Sequence, residues 1–68
     1  MTNNPDIQPL AYRPNAAAVI LGCSRDLVFQ LIRSGELRSY RIGSGRFITS
    51  EALREFVARR EAESNATP

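Results

Sequence analysis

LGCSRDLVFQLIRSGELRSYRIG, residues 21–43, carries a short helical pattern held between two glycines. Val28, Leu31 and Ile32 fall at i, i+3 and i+4, which puts them on one apolar face of a helix. Ser24 stands where an N-cap belongs, because its hydroxyl can accept from an early backbone N–H. Gly35 suits the left-handed turn that closes a helix. The spacing therefore predicts a helix over 25–34. Its other face carries Arg25, Asp26, Phe29, Gln30 and Arg33, a polar and basic set with one aromatic ring.

Upstream, "PNAAAVIL" predicts a first helix over 14–21. Pro14 costs nothing in a first turn, where its missing N–H has no partner to lose. The three alanines favour helix and permit close packing. Gly22 then ends it. Downstream, "LRSYRI" alternates in the manner of a strand, with Leu37, Ser39 and Arg41 on one side and Arg38, Tyr40 and Ile42 on the other. Burying both Leu37 and Ile42 would need a bend or bulge between them. "GSG" at 43–45 reads as a hairpin turn and "RFI" at 46–48 as the return strand. Thr49 or Ser50 caps a third helix, about 51–62, with Glu51 and Glu55 early and Arg59 and Arg60 late, matching the helix dipole. Glu55 and Arg59 stand at i, i+4 spacing. The expected core is Ile20, Leu21, Val28, Leu31, Ile32, Leu37, Tyr40, Ile42, Ile48, Leu53, Phe56 and Val57.

The order helix, tight turn, helix, hairpin, helix is that of a winged helix-turn-helix, an α+β fold that is mostly α. The domain is placed at 12–62. Residues 1–11 read as a flexible arm and 63–68 as a disordered tail.

The chain has 68 residues, nine Arg, no Lys, no His and one Cys, with a formal net charge of +2. Arg codons are GC-rich, so the absence of Lys reflects base composition as readily as function. The distribution is more telling. Residues 11–50 hold six Arg against Asp26 and Glu36, whereas residues 51–68 hold three Arg against four Glu. A basic middle between less basic ends fits a polyanionic partner. One Cys and no His cannot make a structural zinc site. No intramolecular disulfide is possible, and no apolar run approaches a membrane span. The expected compartment is the cytoplasm, and no cofactor, metal or catalytic group is expected.

The run from Ala17-Ala18 through Ile20-Leu21-Gly22, Ser24-Arg25, Val28-Phe29, Leu31-Ile32-Arg33-Ser34-Gly35-Glu36-Leu37 and Arg41-Ile42-Gly43 to Ile48 and Leu53 resembles the small excisionase and MerR-like DNA-binding domains. The likeness spans about residues 12–58. It departs at the start of the first helix, where Arg13-Pro14-Asn15-Ala16 replaces a Ser or Thr cap with acidic residues. It departs again at the hairpin tip, where Ser44-Gly45 replaces an Arg-rich turn. Val19 falls where a charge is usual, leaving a small apolar spot exposed.

The resemblance implies a winged helix-turn-helix that binds double-stranded DNA. It implies an excisionase, a recombination directionality factor that bends attachment-site DNA of a prophage or mobile element. Such a protein assists integrase, sits beside neighbouring copies of itself, and catalyses nothing. A small transcriptional regulator on the same fold and a protein-interaction adaptor using the third helix and Val19 are the alternatives.

The recognition-helix candidates are Ser24, Arg25, Asp26, Phe29, Gln30 and Arg33. Arg pairs with guanine and Gln with adenine in a major groove, while Arg33 suits phosphate. Asp26 could accept from cytosine or simply serve the helix N-terminus, and Ser24 is first a cap. Phe29 lies off the core stripe and suits a sugar, a thymine methyl, or a cover over the hairpin. The wing candidates are Arg38, Arg41, Ser44 and Arg46, for phosphate or minor-groove contact; Arg38 could equally cap helix carbonyls. Arg13 is a backbone candidate. Cys23 reads as a small apolar residue in the turn.

Overall fold

The structure, a computed structural model, describes residues 9–66. Three helices, α1 (Pro14–Leu21), α2 (Arg25–Ser34) and α3 (Ser50–Ala66), pack with three short strands, β1 (Ala11–Tyr12), β2 (Tyr40–Ile42) and β3 (Gly45–Thr49). The strands form one antiparallel sheet in the order β1-β3-β2. Between β2 and β3, Tyr40 pairs with Phe47, Arg41 with Arg46 and Ile42 with Gly45.

Both glycine ends of the helix-turn-helix take the left-handed conformation, Gly22 at φ 74° and Gly35 at φ 85°. The Gly22 N–H donates to the Ala18 and Val19 carbonyls, and the Cys23 N–H donates to the Ala18 carbonyl at 2.9 Å, which closes α1 tightly. Ser24 then caps α2, its hydroxyl accepting from the Leu27 N–H at 3.1 Å. The two helices thus keep the predicted bounds.

The core is Ala17, Ala18, Val28, Leu31, Leu37, Ile48, Ala52 and Leu53, with Tyr12, Leu21, Cys23, Ile32 and Phe56 packed against it. Three alanines absent from the expected core belong to it: Ala17 and Ala18 on α1, which packs against α2 and β3, and Ala52 on α3, which packs against β3. A methyl group suffices where elements approach closely. Four residues expected inside are at the surface: Ile20, Tyr40, Ile42 and Val57. Plain alternation explains Ile42. Leu37 is fully buried and Ile42 is 65% exposed, so no bulge carries both inward. Tyr40 lies on the outer side and stacks on Phe47, ring centroids 5.8 Å apart.

Two boundaries differ from the expected ones. The stretch read as an arm ends in structure: Ala11 and Tyr12 pair with Thr49 and Ile48, and the Leu10 carbonyl accepts from the Ser50 N–H at 3.2 Å. A two-residue strand has no period to detect, and only β3 makes it a strand. At the other end α3, capped by Thr49 Oγ1 accepting from the Ala52 N–H at 2.9 Å, runs to Ala66. Ser64 and Asn65, read as tail, are helical. The rest of the expected arm, residues 1–8, and of the expected tail, residues 67–68, lie outside the described residues.

Candidate nucleic-acid interface

Alternation along β3 places Arg46 on the same side as the buried Ile48, one step nearer the hairpin tip. Arg46 therefore extends the inner face of the sheet past the core, toward the first turns of α2. Arg41 stands directly across from it. From the other side Arg25 and Phe29 project from α2, one helical turn apart. Arg13, Pro14 and Asn15 close the third side at the start of α1. Together with Ser44 these residues line one open groove of about 570 Å³.

Four guanidinium groups and no carboxylate line this groove. Arg13, Arg25, Arg41 and Arg46 have no ion-pair partner among the described residues. Like charges directly opposite on paired strands repel, so Arg41 and Arg46 leave a standing demand for an anion. Two contacts hold the others in place. The Arg25 guanidinium lies over the Phe29 ring at 4.8 Å and that of Arg13 over Phe47 at 5.3 Å. Arg46 Nη1 also donates to Ser39 Oγ at 3.2 Å.

Two of the acids, Glu36 and Glu55, are held away from the groove by partners on other elements. Glu36 follows α2 and is engaged by α3: Arg60 pairs with its carboxylate at 3.2 Å, and Arg59 donates to its carbonyl. Glu55 is taken by Arg38, whose Nε and Nη2 donate to Glu55 Oε1 at 3.2 and 2.8 Å. The expected Glu55–Arg59 pair is thus replaced by two contacts across elements. Carboxylates neutralised on the α3 side leave the groove cationic.

Six predicted residues therefore meet at one groove: Arg13, Arg25, Phe29, Arg41, Ser44 and Arg46. Asp26 and Gln30 lie beside them, exposed along the same face of α2. Ser24 is occupied as the α2 cap. Arg33 and Arg38 line a neighbouring concavity that meets the first at Arg46. Arg38, placed on the wing from sequence, is tied instead to α3 through Glu55. Pro14 and Asn15 were missed as groove residues. The only signal for Asn15 was its place after a first-turn proline, where its own N–H is free of the helix. Cys23 is partly buried against the core. Among the described residues no group of three or more His, Cys, Asp or Glu could hold a metal ion, and no single helix is long and apolar enough to cross a membrane.

A family model described as a helix-turn-helix domain matches residues 11–61. No curated protein and no solved structure matches the chain. The matched span covers every element that builds the groove, from β1 through most of α3. With most of its length inside that match, the chain belongs to the helix-turn-helix domain family and is a DNA-binding helix-turn-helix protein.

Proposed function

We propose that this protein is a sequence-specific, DNA-bending excisionase that directs recombination toward removal of a prophage or mobile element. The observation that carries the DNA contact is the groove with four unpaired guanidinium groups and no acid. In this reading α2 lies in the major groove. Arg25 and Gln30 reach base edges, Arg33 reaches phosphate, and Asp26 sits near enough to accept from cytosine. The hairpin rests on the flanking backbone or minor groove through Arg41, Ser44 and Arg46, and Arg13 adds a phosphate contact on the far side.

Contacts on three sides of one groove favour bent DNA, because curvature lets one small domain touch more backbone. A single unit covers little DNA, so neighbouring copies act together, and integrase is the enzyme they assist. The small regulator remains the second use of the same groove.

The experiment is in vitro recombination with integrase and attachment-site DNA, with and without this protein. Excision that rises on addition supports the reading, and unchanged excision removes the recombination role. DNA binding is tested apart from it. With about five phosphates neutralised, log affinity should fall against log salt with a slope of roughly −4 to −5. A slope near zero overturns the interface. If the protein is instead an adaptor, Arg25→Ala with Gln30→Ala leaves its function intact.

A further inference from the structure

We infer that one side of α3, marked by Arg54, Val57, Ala58 and Glu61, docks on the same side of a second copy of this chain, the two helices running antiparallel about a two-fold axis. The four residues recur at i, i+3, i+4 and i+7 and line one concavity together with Ile20 at the end of α1. Val57 is 43% exposed and Ile20 51% exposed, an apolar centre that nothing in the described fold covers. This concavity shares no residue with the cationic groove.

The charges identify the occupant. Arg54 stands at one end of the apolar centre and Glu61 at the other. At 1.5 Å rise per residue they are about 10 Å apart along the helix, too far to pair with each other. Neither has an ion-pair partner among the described residues. An antiparallel helix centred between Val57 and Ala58 brings Glu61 of the second copy opposite Arg54, and Arg54 of the second copy opposite Glu61. Val57 then faces Ala58 twice, with Ile20 at the margin. An in-register parallel pair would instead set Arg54 on Arg54 and Glu61 on Glu61. A two-fold contact requires a surface complementary to itself, and the charges make this one so only when the helices run antiparallel. Ala58 and Val57 are short enough for the helices to approach closely.

The patch is small, so pairing in solution is weak. It does not depend on the proposed recombination role. If both hold, two grooves related by a dyad fit an inverted repeat in the DNA.

Sedimentation equilibrium of the full chain, up to about 1 mM at the weak end of specific association, tests this. The average mass should climb toward that of two chains. Val57→Asp should abolish the rise, with helicity by circular dichroism unchanged because the position is at the surface. Arg54→Glu and Glu61→Arg should each weaken pairing about tenfold, since each sets two like-charge contacts across the axis. An equimolar mixture of those two variants, or the double exchange in one chain, should restore it. A chain that stays monomeric throughout overturns the inference. So does association that survives Val57→Asp, or a charge exchange that fails to restore pairing.

Discussion

At the residue scale the decisive fact is that Arg41 and Arg46 face each other with no acid between them. Such a pair weakens the isolated fold and strengthens binding to an anion. Arg41→Thr should therefore do opposite things to stability and to affinity. At low salt the melting temperature of the free protein should rise, while the slope of log affinity against log salt should shrink by about one. Thermal melts and salt-dependent binding on the same variant check both halves. Phe29 is a different case. It carries no charge, but its ring holds the Arg25 guanidinium 4.8 Å away. Phe29→Leu should cost affinity about two- to fivefold, the worth of an exposed cation–π contact. The salt slope should stay unchanged, because the charge count is the same. Periodicity had placed Phe29 off the core, but only the position of the hairpin shows that it belongs to the groove.

At the element scale the helix-turn-helix was legible because its signals are local. Ser24, Gly22 and Gly35 act on backbone groups within four residues of themselves, so a reader of the sequence has all the relevant atoms. Ser24→Ala should cost about 1 kcal/mol by leaving the Leu27 N–H without its acceptor. For a domain of this size that is a drop of about 4–8 °C in melting temperature. Gly35→Ala should cost a similar amount for a different reason. Nothing lies within 4 Å of an added Cβ, so the penalty is the positive φ of 85° and not a clash. Comparison with Gly45→Ala is informative, since there a Cβ would meet the Phe47 ring at 3.1 Å without any positive φ. The elements that sequence misjudged are those that need a distant partner. β1 exists because β3 offers it a free edge. Arg38 left the wing because α3 brings Glu55 within 2.8 Å.

At the scale of the whole molecule, Leu37 and Ile42 make the instructive contrast. Both were expected inside, both are aliphatic, and they are five residues apart. Leu37 is 1% exposed and Ile42 65%. Leu37→Ala should cost about 2–5 kcal/mol, a large share of the stability of so small a domain. Ile42→Thr should stay within about 0.5 kcal/mol. Denaturant unfolding of the two variants measures the difference directly. The sequence alone determined the helix-turn-helix, its caps, the hairpin after it and the cationic middle of the chain. These follow from short-range backbone geometry, from hydrophobic period and from charge counting. Tertiary structure decided which apolar residues form the core and that three alanines belong to it. It decided which arginines are neutralised by α3 and which remain free around the groove. Those outcomes depend on distances between segments far apart in the chain, and such distances are set only when the helices and the sheet pack together.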